Sequence, residues 1–272
     1  MNVHPVRVPD LKLKKAHGEK IAALTAYDAT MARLLDRAGV DMILVGDSVG
    51  MVVLGYADTV SVTLDDMLHH TRAVVRGVER ALVVVDMPFL SYQVSVPEAV
   101  RNAGRLLQEG GAGGVKLEGG RPVLDVVKRF VDVGIPVMGH LGLQPQSVRQ
   151  IGGYAKSATR PDAADRLVED AIALRDAGAF GLVLESIPAE LARMVTSSID
   201  IPTIGIGAGP DCDGQILVSS DMLGLFDQFV PSFVQQYAKL SETIVTATRA
   251  YVTDVHEGRY PRTLSKVEGV SR

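Results

Sequence analysis

Tryptophan is absent from this chain and cysteine occurs once, at Cys212. A lone cysteine makes no internal disulfide and no cysteine-based zinc cluster, which fits a reducing compartment. An excess of positive charge is also missing. Lys plus Arg number 28 against 32 for Asp plus Glu, a formal net charge of −4. A general nucleic-acid binder carries a basic excess, so nucleic acid is not an expected partner. No apolar run reaches the roughly 18 residues that span a bilayer, so no membrane is expected either. The opening stretch MNVHPVRVPDLKLKKAHGEK has no apolar centre of the kind a secretory signal needs. These absences predict a cytoplasmic globular protein. What is present is 47% hydrophobic residues over 272 positions, with 27 Gly. That is enough for a large core, and one α/β barrel commonly has this length.

After about 20 polar residues, short apolar runs alternate with segments of helical spacing. The runs are Ile21–Tyr27, Met42–Asp47, Ala81–Pro88, Gly113–Gly119, Pro136–Gly142, Gly181–Ser186 and Pro202–Gly209, with Gln215–Leu223 as an eighth. Near-continuous apolar runs are the mark of strands covered on both sides, which are normally parallel. Helices are predicted over Thr30–Ala38, Thr63–Arg76, Val96–Glu109, Pro122–Val133, Asp162–Ala177 and Pro188–Ser198. TLDD at Thr63–Asp66 has the form of a capping box, and Pro97 sits where a helix start tolerates proline. DRAGVDMILVGD, QEGGAGGVKLEG and RDAGAFGLVLES each read as helix, glycine turn, strand. The alternation predicts a (β/α)8 TIM barrel forming a single domain over 1–272. It would have an N-terminal extension over 1–20, a long C-terminal helix over 231–257 and a loose tail over 259–272. An open doubly wound sheet is the competing architecture, but no dinucleotide fingerprint accompanies it.

Catalytic groups of such barrels sit at the C-terminal ends of the strands, and run after run here closes on a polar residue. Asp47 and Ser48 end the second, Asp86 the third, Lys116 and Glu118 the fourth, His140 the fifth and Glu185 the sixth. One such residue alone would be read as a helix cap; five successive strands point to one mouth. Lys116 and Glu118 are two apart, so on a strand they face the same way. Under the helices they would be costly buried charges. In the barrel mouth they form a site. Asp47, Asp86 and Glu118 make a hard oxygen donor set suited to Mg²⁺, completed by water and substrate oxygens. Zinc fits less well, with His140 as the one nitrogen donor. Gly46–Met67 is a candidate lid. GIGAGPDCDG (Gly205–Gly214) resembles a glycine-rich phosphate grip, although glycine turns also arise for packing alone. His69, His70 and Cys212 read as packing or surface groups.

At these residues the chain resembles the ketopantoate hydroxymethyltransferase family. The matching stretches are TAYDATMARLLDRAGVDMILVGDSVGM, DMPF, VKLEGG, GHLGLQPQS, GGY, LVLESIP and IPTIGIGAGPDCDGQILV. The resemblance implies a (β/α)8 barrel and self-association, commonly as a homodecamer. It also implies transfer of a hydroxymethyl group from 5,10-methylenetetrahydrofolate to 3-methyl-2-oxobutanoate, giving ketopantoate in pantothenate and coenzyme A synthesis. By that resemblance Asp47 and Asp86 bind Mg²⁺ and touch substrate, and Glu118 is the third metal carboxylate. Ser48 and Lys116 contact substrate, and Glu185 accepts the proton; His140 lies in the pocket without a role assigned. Three other readings compete. One is a Mg²⁺-dependent C–C lyase or mutase of the phosphoenolpyruvate-mutase and isocitrate-lyase kind, one a Schiff-base aldolase built on Lys116, and one a non-catalytic barrel.

Overall fold

The computed structural model describes residues 4–153 and 156–261, in two compact units that divide between Ser219 and Ser220. In the first unit eight strands follow one another. They are β1 (Ile21–Thr25), β2 (Met42–Val45), β3 (Leu82–Asp86), β4 (Gly114–Glu118), β5 (Val137–Gly142), β6 (Gly181–Glu185), β7 (Thr203–Ile206) and β8 (Gly214–Leu217). They close in sequence order into a barrel, β1 pairing with both β2 and β8, and every pairing is parallel. This is a (β/α)8 TIM barrel.

The helices are α1 (Val8–Ala16), α2 (Ala29–Arg37), α3 (Val49–Val52), α4 (Leu64–Val75), α5 (Val96–Gln108), α6 (Leu124–Asp132), α7 (Val148–Ile151), α8 (Pro161–Asp176) and α9 (Ala189–Ser198). Two more, α10 (Ser219–Met222) and α11 (Leu240–His256), follow β8. The capping box before α4 forms: Thr63 Oγ1 accepts from the Asp66 amide at 3.1 Å and the Thr63 amide donates to Asp66 Oδ2 at 2.9 Å.

The period-2 alternation of each strand sorts its side chains into two cores. Ile43, Val83, Val85, Val115, Leu117, Leu182 and Leu184 face the helices. Ile21, Ala23, Met42, Leu44, Leu82, Val84, Met138, Val183, Ile204 and Ile216 fill the barrel interior. Read upward, the inward positions run Leu82, Val84, Asp86 on β3 and Met138, His140 on β5. The lower layers are apolar and the top layer is polar.

Two features differ from the expectations above. Within the polar N-terminal extension lies α1, whose Leu11 is fully buried in the barrel-interior cluster; Val8, Leu11 and Leu13 set among three lysines over two and a half turns are too short a periodic signal to announce it. Leu11→Ala is expected to cost about 2–5 kcal/mol, read as a lowered melting midpoint. As expected, no helix lies between β7 and β8. Residues 207–213 return alone, and Asp213 Oδ2 accepts from the Thr203 amide, the Thr203 hydroxyl and Lys15. Gly209 stands at φ +81°, where an added Cβ would lie 2.4 Å from that of Ala189. Packing therefore accounts for much of this glycine-rich segment.

The second difference lies in the second unit. Its helix begins at Leu240 rather than 231, and nothing on it is fully buried. The amides of Tyr237, Leu240 and Ser241 donate to the carbonyls of Met222, Leu223 and Gly224 instead of to an earlier helical turn. The expected tail lies, beyond residue 261, outside the described residues, as does Tyr154 of the GGY stretch. Among the described residues no helix is long and apolar enough to cross a membrane.

Candidate active site

The register places the polar residues level with one another. Asp86 is the β3 partner of Lys116 on β4, and Glu118 is the β4 partner of His140 on β5. Asp47 and Ser48 follow β2 directly, and Glu185 closes β6. Asp47, Asp86, Lys116, Glu118 and His140 are all buried, and the Glu185 side chain is 18% exposed. Two backbone features aim Glu185. Gly142 beside it holds φ +99°, and a Cβ there would lie 2.2 Å from the Glu185 carbonyl oxygen. Ser186 takes φ +50° and donates its amide to the Ile206 carbonyl, a conformation non-glycine residues seldom adopt outside functional or tightly packed sites.

Asp86, Lys116, His140, Glu118 and Glu185 form one connected cluster, which Asp47 joins through its amide. The Asp47 amide donates to Asp86 Oδ2 at 3.1 Å. Lys116 Nζ lies 2.8 Å from Asp86 Oδ1, although that oxygen has no well-aligned hydrogen bond. Lys116 Nζ is also 3.1 Å from His140 Nδ1. His140 Nδ1 lies 3.5 Å from Glu118 Oε1, and His140 Nε2 3.2 Å from Glu185 Oε2. Ser48 Oγ and the Tyr27 hydroxyl are 2.8 Å apart.

An ammonium can only donate, so Nδ1 of His140 accepts from Lys116 and the ring proton resides on Nε2, which lies near Glu185 but makes no aligned hydrogen bond. Burial and the nearby Lys116 charge hold His140 well below its usual pKa, and hence neutral. Burial pushes Glu185 up to about 7, against a lowering pull from Lys116. Asp47 rises to about 7 through burial and the Asp86 charge. Glu118 is raised well above the carboxylate range by burial and Asp47. For Lys116, burial alone would lower the pKa, but Asp86, Glu118 and Asp47 together raise it, so it stays charged. The site thus sets four carboxylates against one fixed cation and is short of positive charge.

Two members of the cluster escaped the sequence reading. Gln146, in the turn after β5, donates Nε2 to Asp47 Oδ2 at 2.9 Å and its amide to Glu118 Oε2 at 3.1 Å. The Tyr92 hydroxyl lies 2.9 Å from Gln146 Oε1 and accepts from the Glu118 amide at 3.1 Å. Neutral residues off the strand ends carry no charge signal; the stretches LSYQ and GLQPQS, rich in hydrogen-bonding groups beside the mouth, were the available hint. The expected three-carboxylate cage is looser than a closed one. Among the described residues, no three His, Cys, Asp or Glu side chains are arranged to enclose a metal by themselves. Asp47 Oδ2, Asp86 Oδ2 and Glu118 Oε2 each accept a hydrogen bond from the protein. The candidate lid is an ordered segment containing α3. Its Asp58 pairs with Arg149 at 2.9 Å.

A TIM barrel with clustered carboxylates, a buried lysine and a neutral histidine at its strand ends has the placement of an enzyme active site. The barrel superposes on a phosphoenolpyruvate phosphomutase from Streptomyces platensis with TM-score 0.62 and 13% identity, covering 93% of this chain and 88% of that one. It matches a 2,3-dimethylmalate lyase of the PEP mutase/isocitrate lyase superfamily with TM-score 0.58 and 19% identity, covering 96% and 91%. At such identities these likenesses show the fold alone. The family model for ketopantoate hydroxymethyltransferase matches residues 5–263. A 3-methyl-2-oxobutanoate hydroxymethyltransferase from Moorella thermoacetica is 58% identical, covering 94% of this chain and 95% of the relative. One from Syntrophus aciditrophicus is 59% identical, covering 91% of each. The chain belongs to the ketopantoate hydroxymethyltransferase family.

Proposed function

We propose that the carboxylate-lined mouth is where this chain joins the one-carbon unit of 5,10-methylenetetrahydrofolate to C3 of 3-methyl-2-oxobutanoate, giving ketopantoate with one water consumed. The observation that carries the reading is the cluster of Asp47, Asp86, Glu118 and Glu185 around the buried ammonium of Lys116, in a chain of this family.

C3 of this substrate bears one hydrogen next to a ketone, so the reaction needs a base at C3 and positive charge at the neighbouring oxygens. Glu185 serves as the base. Its raised pKa of about 7 leaves it both ionisable at neutral pH and basic enough to take a carbon-bound proton. His140 Nε2 lies 3.2 Å from the Glu185 carboxylate without an aligned hydrogen bond, close enough to form one when substrate shifts the side chains. Lys116 offsets charge on the substrate oxygens, and Ser48 offers a hydroxyl beside them.

The donor chemistry fits a hard divalent cation. Asp86 Oδ1 is buried beside the Lys116 ammonium without an aligned hydrogen bond, and Gln146 holds one oxygen each of Asp47 and Glu118, leaving the second of each to face a ligand. These three residues would hold Mg²⁺, with Asp47 and Asp86 also touching substrate. When bound, Mg²⁺ supplies the Lewis acidity that makes the C3 proton removable. The chain is taken to work in the cytoplasm as a homo-oligomer.

The test is ketopantoate formation from the oxo acid and 5,10-methylenetetrahydrofolate, with and without EDTA. Turnover is expected to disappear on chelation and return with added Mg²⁺. Turnover indifferent to EDTA would remove the metal, and cleavage of 2-oxo acids without the folate donor would favour the lyase or mutase reading.

A further inference from the structure

We propose that Gln146 is a positioning residue that presets the two carboxylates flanking the metal position, with Tyr92 fixing its orientation. The inference rests on the reading that Asp47 and Glu118 hold a divalent cation.

Gln146 is 5% exposed, yet its polar groups are matched in full. Nε2 has two hydrogens and two acceptors, Asp47 Oδ2 and the Met87 carbonyl, each at 2.9 Å. Oε1 receives the Tyr92 hydroxyl at 2.9 Å and lies 3.4 Å from Gln93 Nε2. The Tyr92 hydroxyl itself accepts from the Glu118 amide, which leaves its single proton for Gln146 Oε1 or for the Glu118 carbonyl at 3.2 Å. Turning the amide over would set Oε1 against a carboxylate and a carbonyl, two acceptors facing an acceptor. The network therefore admits one orientation.

The consequence reaches both carboxylates at once. The side chain pins Asp47 Oδ2 and the main-chain amide pins Glu118 Oε2, so each carboxylate presents a defined second oxygen. Residues on β4 and after β2 are thus set by one residue in the turn after β5. Partners that orient ligand side chains typically hold 10–100-fold in metal affinity.

The experiment uses the full chain and Mn²⁺ as the probe, with binding read by electron paramagnetic resonance and folding by thermal melting. Gln146→Met keeps length and the main-chain amide but removes both side-chain donors. Its Mn²⁺ Kd is expected to rise about 10-fold or more, with the Mg²⁺ concentration for half-activation rising in parallel. At saturating Mg²⁺, kcat is expected to return to within about twofold of the parent, which a general disruption of the fold would not permit. Tyr92→Phe frees the amide to turn and is expected to give a smaller loss. The double variant should be no weaker than Gln146→Met, because both act through one bond. Unchanged Mn²⁺ affinity in a folded Gln146→Met overturns the proposal; should that variant not fold, unchanged affinity in Tyr92→Phe does so. If the parent chain binds no Mn²⁺, the metal reading itself fails, a separate result from equal binding by parent and variant.

Discussion

Glu185→Gln is expected to lower turnover by about 10²–10⁴-fold and, at the same time, to raise the melting midpoint at pH 8. The first effect follows from losing the base: a Gln amide accepts no proton from C3. The check is exchange of the C3 hydrogen of 3-methyl-2-oxobutanoate with deuterated solvent, followed by NMR; normal exchange in the variant would remove Glu185 from the role. The second effect follows from linkage. Burial raises Glu185 from 4.5 to about 7 in the folded chain. The folded state therefore binds this proton more tightly than the unfolded state, and stability falls as pH rises from about 4.5 to about 7. A displacement of that size corresponds to a ceiling of about 3 kcal/mol above pH 7. Gln carries no such burden and forfeits no aligned hydrogen bond from His140 Nε2. The gain should be present at pH 8 and vanish at pH 4; an equal gain at both would assign it to packing instead. In the parent enzyme the same group predicts that kcat/KM declines as pH drops below about 7.

Most of the barrel and its mouth was legible because two periodicities coincide in each β–α unit. The run Leu82–Asp86 is apolar on both faces until its last inward position, and only that position is charged. Val115–Glu118 repeats the pattern with Lys116 and Glu118, and Met138–His140 with a histidine. A polar residue that interrupts an otherwise apolar strand at its C-terminal end is costly unless its partners arrive from neighbouring strands, so the partners could be inferred before they were seen. The illegible parts obey no such rule. Leu11 enters the barrel floor from a helix whose other residues are mostly charged or exposed. Gln146 and Tyr92 are neutral and lie in turns, where their selection depends on distances across 99 residues of chain between Asp47 and Gln146. The late start of α11 depends on carbonyls of Met222, Leu223 and Gly224 competing for its amides, and residues 231–239 alone do not reveal that.

Lys116→Met should make the fold itself sensitive to pH, because Lys116 is the one fixed cation among four carboxylates. Its ammonium lies 2.8 Å from Asp86 Oδ1 and opposes the upward shift of Asp47, Glu118 and Glu185. Removing one partner of a buried pair costs about 3–5 kcal/mol when the other stays charged. The carboxylates can escape part of that cost by taking up protons, and without Lys116 their folded pKa values climb further. Folded-state pKa values above the unfolded ones mean stability lost as pH rises. The variant is therefore expected to melt far below the parent at pH 8 and to recover much of the difference near pH 5. The parent's own lysine titrates above its unfolded value of 10.5, so its contribution is constant across this window and does not blur the comparison. Mg²⁺ should raise the melting midpoint of the variant more than that of the parent, since a divalent cation relieves the same repulsion. Catalysis should not return with it. Without an ammonium donating to Nδ1, His140 is free to carry its proton on that nitrogen, 3.5 Å from Glu118, and the substrate oxygens lose the Lys116 charge. A destabilisation equal at pH 5 and pH 8 would show that Lys116 acts by filling space rather than by charge.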